Sequence, residues 1–150
     1  MRRAIFGVKD GVGTVIVDGP PAAVHDRGPG ASMFDMWAAR GPADFAIEDI
    51  TASVGPGLDV GPGGVVFRIV EMPPTAPDAE PGSGMHRTLT VDYGVLLSGS
   101  ITVVMEDGSS TDLERGDCFV QIGGRHAWRN HGPDSCVIAF WCVGVPKPGI

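Results

Sequence analysis

Three features of this chain of 150 residues predict an all-β fold of short antiparallel strands. Glycine and proline are abundant, at 23 and 13 residues, which fits many short strands joined by turns and disfavours long helices. From residue 86 onward, apolar runs of strand length follow one another with only short breaks. Between two of these runs, Asp107-Gly108 is a hairpin turn signal. The length suits one domain with a proper core.

The elements follow in order. Ile5 to Val8 and Thr14 to Val17 predict a hairpin around Lys9-Asp10-Gly11. Ala22 to His25 is a short strand and Pro29 to Ser32 a break. Met33 to Ala39 is apolar enough for either a strand or a helical turn. The segment GPGLDVGPGG, 55–64, is a loop; it lacks the Gly-Lys-Ser/Thr ending of a phosphate loop. Val65 to Met72 is a strand. Residues 73–84 form a connection, either a plain solvated linker or a lid. Strands are expected over Thr88–Val91, Gly94–Leu97, Ser100–Met105, Asp117–Gln121, His126–Arg129 and Cys136–Val143. The last run, CVIAFWCV, is apolar on both alternations, so both of its faces should be covered.

Composition excludes several function classes. The formal net charge is −7 and basic residues do not cluster beyond Arg2-Arg3, so neither nucleic acid nor an anionic membrane is expected as a partner. No stretch approaches the roughly 20 apolar residues of a membrane span, and the apolar run Ala4 to Val8 is too short for a signal peptide. A cytoplasmic protein is the expectation. Cys118, Cys136 and Cys142 lie in apolar strand sequence and read as small buried side chains, with no disulfide framework or structural zinc motif.

Two runs carry more than fold. Residues 86–100 read HRTLTVDYGVLLSGS, and residues 116–130 read GDCFVQIGGRHAWRN. They resemble the two signature motifs of the cupin superfamily, G-x5-H-x-H-x3,4-E-x6-G and G-x5-P-x-G-x2-H-x3-N. His86 takes the first histidine position, Thr88 the second, Asp92 that of the glutamate, and Gly99 closes the motif. In the second motif Gly116, Gly123, His126 and Asn130 match, while Gln121 stands one residue before the proline position. The resemblance is to small single-domain bacterial cupins, spans residues 64–145 and is poor over the first 60. It implies an antiparallel double-stranded β-helix, a jelly-roll barrel, over residues 64–150. Residues 1–63 would add strands and loops packed on the barrel. It also implies a homodimer.

The resemblance further implies that His86, Asp92 and His126 meet inside the barrel. Strand alternation puts His86 and Thr88 on one face. The three ionisable residues form a 2-His-1-carboxylate set of the kind that holds non-haem iron, so iron, zinc, manganese or nickel is a candidate cofactor. Asp is one methylene shorter than Glu, and Thr88 is a poor ligand. Two further readings stand beside the metal: a metal-free acid–base pair tuned by burial, and a buried polar network satisfying itself. Thr88, Gln121 and Trp128 are candidate substrate contacts, with Trp128 either a pocket wall or plain core. Tyr93 should point away from the pocket. Arg87, Arg125, His25 and His131 are expected at the surface, and Asn130 should tie down a turn.

The expected function is an enzyme on an apolar carbonyl or aromatic, polyketide-like compound, of lyase, isomerase or cyclase type, using His86, Asp92 and His126. The alternatives are a non-haem iron-dependent dioxygenase and a non-catalytic small-ligand-binding protein.

Overall fold

A computed structural model describes residues 2–9, 12–39, 50–55, 57 and 60–146. Among them are eleven strands and one short 3-10 turn, Thr51–Ser53. The strands are β1 (Arg3–Lys9), β2 (Val12–Gly19), β3 (Ala23–Asp26), β4 (Ser32–Ala39), β5 (Val65–Met72) and β6 (Thr90–Ser98). Then come β7 (Ser100–Met105), β8 (Ser110–Glu114), β9 (Cys118–Ile122), β10 (His126–Arg129) and β11 (Cys136–Gly144). No helix among the described residues is long and apolar enough to cross a membrane.

Three antiparallel sheets result. β1 and β2 form a hairpin, whose turn residues 10 and 11 lie outside the described residues. A small sheet has the order β10-β7-β8, and a large one the order β3-β4-β5-β11-β6-β9. The core lies between the last two. Leu96, Ile101, Cys136 and Ile138 are almost fully buried there, with Met72, Leu113, Phe119, Trp128 and Phe140 packed on them. Each of these residues comes from an alternation that one sheet turns toward the other.

Several expectations are refined. Residues 33–39 are a strand, settled by pairing of β4 with β3 on one side and β5 on the other. β3 and β4 thus continue the barrel's own large sheet across the boundary drawn at residue 64. The two short strands expected around Asp92 are one, β6, because Asp92 and Tyr93 are laddered to Cys142 and Trp141 on β11 and to Gln121 and Val120 on β9. β8, the run STDLE, escaped sequence reading because Leu113 is its one apolar residue and shows no alternation. It is held by the ladder to β7, where Thr102 Oγ1 donates to Asp112 Oδ1 at 2.6 Å.

The outer face of β11 is only partly covered. Trp141 stacks flat on Phe67 at 4.5 Å between ring centroids, yet 42% of it is exposed, and its cross-strand neighbour Tyr93 is 50% exposed. Tyr93 does point outward, as alternation requires. Cys118 is exposed and corrects the expectation of three buried cysteines: it opens β9, the edge strand of the large sheet, whereas Cys136 and Cys142 sit on central β11.

Three motif glycines sit at turns that need a left-handed backbone. Gly99, Gly116 and Gly123 all have positive φ, 76°, 95° and 56°. At Gly99 a side chain is doubly excluded, since its Cβ would stand 2.8 Å from the Cβ of Cys136.

Candidate functional site

A cavity of about 510 Å³ opens between the two sheets. Its walls are mostly apolar, including Met33, Val70, Met72, Met85, Trp128 and Phe140. Its floor is Trp128 and Phe140, backed by Phe119, the three rings meeting at tilted and edge-on angles with centroids 5.1 to 5.8 Å apart. Gly94 makes that floor possible, because the Phe119 ring lies where a Cβ at 94 would be. His86, Thr88, Asp92 and His126 all border the cavity, as does Arg68.

The histidines reach it by a route alternation did not describe. His86 and Thr88 do not share a strand, since β6 begins at Thr90. His86 instead makes a lone antiparallel bridge to His126 at the start of β10. Each backbone N–H donates to the other's carbonyl at 2.9 Å. The bridge sets the two rings 4.5 Å apart between centroids, with a 57° tilt. It also carries the connection 73–84 onto the small sheet, where Arg129 Nη2 donates to the carbonyls of Pro81, at 2.9 Å, and Ser83. Asn130 anchors the other end of this connection, as expected of a turn residue. Its Nδ2 donates to the carbonyls of Met72 and Asp134, and Gly132 N–H donates to its Oδ1.

The tautomers follow from the partners. His86 Nδ1 lies 2.8 Å from the carbonyl of Gly84, and His126 Nδ1 lies 2.8 Å from that of Gly124. A carbonyl only accepts, so both Nδ1 atoms carry the proton and donate. In the neutral rings each Nε2 then bears the lone pair, and neither has a hydrogen-bond partner among the described residues. Burial holds the His126 pKa below the ordinary imidazole value, and the charge of His86 adds to the lowering, against the opposing pulls of the Gly124 carbonyl and Asp92.

That depression has a measurable consequence. An unfolded histidine takes up a proton near pH 6.5, while folded His126 does so only at lower pH. In the window between, the unfolded chain binds more protons, so stability is fully present above the unfolded value and falls as pH drops toward the folded one. Urea unfolding at pH 7.5 and 5.5 should show a smaller loss in His126→Gln than in the native protein. An equal loss would show that His126 does not carry the dependence.

Asp92 is 7% exposed on β6, and its Oδ1 has no partner among the described residues. Burial pushes the thiol of Cys142, its cross-strand neighbour on β11, far up from the ordinary cysteine value, and the Asp92 carboxylate adds to the rise. Thr88, 4% exposed, also leaves its hydroxyl unpartnered. Buried polar atoms left this way are costly unless a ligand or water completes them. Gln121 is buried as well, but its Nε2 reaches back to the carbonyl of Gly124 at 3.4 Å and it does not border the cavity. Trp128 does, with its ring edge-on to His126 at 5.9 Å.

The three expected metal ligands do not converge as a set. Among the described residues no three His, Cys, Asp or Glu side chains lie close enough to share one ion. Two tautomer-fixed imidazoles are a sound partial donor set, since an Nδ1–H donated to a carbonyl is the usual support for a ligating Nε2. Without the third ligand the residues as placed do not fit a 2-His-1-carboxylate centre.

Two placements were not foreseen. His25, expected at the surface, is part-buried and its Nε2 lies 3.0 Å from Asp35 Oδ2. Asp35 is itself fully buried and accepts from Arg68 Nε at 3.0 Å. The signal was present in the charges at 35 and 68, on runs otherwise apolar, but only the pairing of β4 with β5 brings them side by side. Arg87 is exposed, as is His131, and Arg125 pairs with Glu106 at the surface, all as expected.

Comparison with known proteins fits this geometry. No protein-family model matches the chain. It is 49% identical over 80 residues to phomopsin biosynthesis cluster protein C' of Diaporthe leptostromiformis, 52% of this chain and 38% of that one. Oryzines biosynthesis cluster protein J of Aspergillus oryzae is 38% identical over 89 residues, 59% of this chain and 47% of that one. The cupin-domain-containing oxidoreductase virC of Hypocrea virens is 31% identical over 67 residues, 45% of this chain and 32% of that one. The chain spans less than half the length of these relatives. All three are fungal, which does not support the expected kinship with bacterial single-domain proteins. Among solved structures, the cupin domain of Schizosaccharomyces pombe Cnp3 superposes with a TM-score of 0.53 at 11% identity, over 95% of this chain and 87% of that one. KdgF from Halomonas sp. gives 0.52 at 18% identity, over 81% and 87%. The fold is a cupin jelly roll.

Proposed function

We propose that this chain is a biosynthetic enzyme that moves protons on a small, largely apolar carbonyl compound held in the cavity. The reaction class is isomerase, lyase or cyclase. The observation that carries the reading is the facing pair of imidazoles, each with Nδ1–H committed to a backbone carbonyl and Nε2 left to act beside an apolar cavity. The kinship with proteins of phomopsin and oryzine biosynthesis clusters supports a place in secondary metabolism.

The chemistry is ordinary acid–base catalysis. His126, kept neutral by burial, takes a proton from carbon next to a carbonyl through Nε2. The C–H electron pair moves into the carbonyl to form an enolate, and the proton rests on the imidazole. The unpartnered Thr88 hydroxyl is the donor available to the developing oxyanion. Return of the proton to another carbon completes an isomerisation; loss of a β-hydroxyl as water completes a dehydration. His86 supplies the second ring nitrogen, so that removal and return need not use the same group. The apolar walls exclude water that would otherwise compete for the proton.

Deuterium exchange into phenylacetone in D2O, followed by proton NMR, tests this. The native protein is expected to accelerate exchange over an equal concentration of free imidazole, and His126→Gln to lose about 100-fold or more of that acceleration. Equal rates in the two proteins would overturn the assignment. The relative named as an oxidoreductase favours a second reading, the iron-dependent dioxygenase expected from the sequence, in which His86 and His126 would hold the ion without Asp92 as the third ligand. Elemental analysis of untagged protein expressed with iron, zinc, manganese and nickel decides between them: near-stoichiometric iron would replace the acid–base reading.

A further inference from the structure

Arg68 lies in the middle of β5, 2% exposed, on the face turned toward the cavity it borders. A guanidinium does not lose its proton in a protein, so this is a fixed positive charge in an apolar interior. Burial of that kind is tolerated only when the donors are used. Two groups of donors are. Nε donates to Asp35 Oδ1 at 3.0 Å, and Nη1 donates to the carbonyl of Gly57 at 3.2 Å. Nη2 has no partner among the described residues. Asp35 has little left to offer it, since its second oxygen faces His25 Nε2 at 3.0 Å.

We propose that Arg68 Nη2 receives a carboxylate of the cavity's ligand, which makes the substrate class an otherwise apolar carboxylic acid. The inference deepens the reading of the cavity as a small-molecule site and rests on it. A neutral acceptor would also fill the vacancy, but a bond between two charged groups is roughly twice as strong and suits a permanent cation in a medium of low dielectric. Asp92 faces the same cavity from β6. It stands across β11 from β5, in the row formed by Cys142 and Val66, two registers from the row of Arg68 and Phe140 and so on the same face of the sheet. Its unpartnered Oδ1 needs a donor. An acid carrying a hydroxyl next to its carboxylate satisfies both residues and keeps the two carboxylates apart. The aromatic floor takes the apolar remainder.

The test compares 3-phenyllactate with 3-phenyllactamide by isothermal titration calorimetry on the native chain. The two differ only in the carboxylate. The acid is expected to bind at least tenfold more tightly than the amide. In Arg68→Lys the charge opposite Asp35 is kept and the Nη2 donor is lost, so the acid should lose at least tenfold in affinity and the amide, whose carbonyl makes the weaker bond to Nη2, distinctly less, closing the gap between them. Equal affinities in the native protein, or an acid preference that survives in Arg68→Lys, would overturn the proposal and leave the cavity reading standing. If neither compound binds the native protein, the cavity reading falls and this inference with it. The comparison in the native protein decides the matter even if the variant does not fold.

Discussion

Replacing Gly94 by alanine is expected to destabilise the protein by about 3 kcal/mol and to abolish ligand binding in the cavity. The added Cβ would stand 2.0 Å from Cζ of Phe119 and within 2.7 Å of two further ring atoms. No rotamer of alanine relieves this, so the ring must leave its place. Phe119 cannot move alone, because it packs on Trp128 at 5.1 Å and on Phe140 at 5.5 Å. Both of those side chains line the cavity. A displaced ring therefore costs packing between the sheets and fills or tilts the floor that a ligand would rest on. The clash can be isolated by a double-mutant cycle. Phe119→Ala alone leaves a cavity and should cost about 3 kcal/mol. Gly94→Ala added to it should cost less than about 1 kcal/mol, since the obstructing ring is gone. Urea unfolding of the four proteins measures both. Additive losses would show that Phe119 is not what Gly94 accommodates.

Asn130→Ala is the second large effect, about 3 kcal/mol, concentrated at the entrance to the site. The side chain is 2% exposed and makes three hydrogen bonds, to the carbonyls of Met72 and Asp134 and from the N–H of Gly132. Alanine leaves all three backbone groups without their partner in a place water reaches poorly. Its own backbone is part of the same knot. Asn130 N–H donates to Thr75 Oγ1, and Thr75 N–H donates back to the Asn130 carbonyl. Residues 73–84 start here and lead to His86, so the variant should exchange the amide hydrogens of this connection faster than the rest of the barrel. Asn130→Asp should be worse than alanine, because a carboxylate would face two carbonyl oxygens where the amide donated. If aspartate matched the native stability, the assigned direction of these bonds would be wrong.

The legible parts of the sequence were those written in local chemistry. The motif glycines Gly99, Gly116 and Gly123 all lie at turns with positive φ, a conformation glycine adopts freely. Val65–Met72 read as a strand and is one, residue for residue, because its apolar composition suits an interior position between two partners. Asn130 was identified as a turn anchor because asparagine offers both a donor and an acceptor at short range. The resemblance to the cupin motifs implied that His86, Thr88, Asp92 and His126 share one site, and all four border one cavity.

What the sequence left open was everything that depends on distance between strands. Alternation gave His86 and Thr88 a shared strand, but His86 is held by a single bridge to His126 that no local pattern records. The strand β8 has a single apolar residue, Leu113, too little for a local pattern, and is held by its ladder to β7. His25 looked like a surface residue until the pairing of β3, β4 and β5 set it against Asp35 and Arg68. Sequence alone thus determined the fold class and which residue types face inward, since period-two alternation and turn geometry are local. The tertiary structure alone decided which inward residues meet. It paired two imidazoles, kept Asp92 out of a three-ligand set and left a buried guanidinium with an unused donor, because those contacts are set by strand register across the sheets.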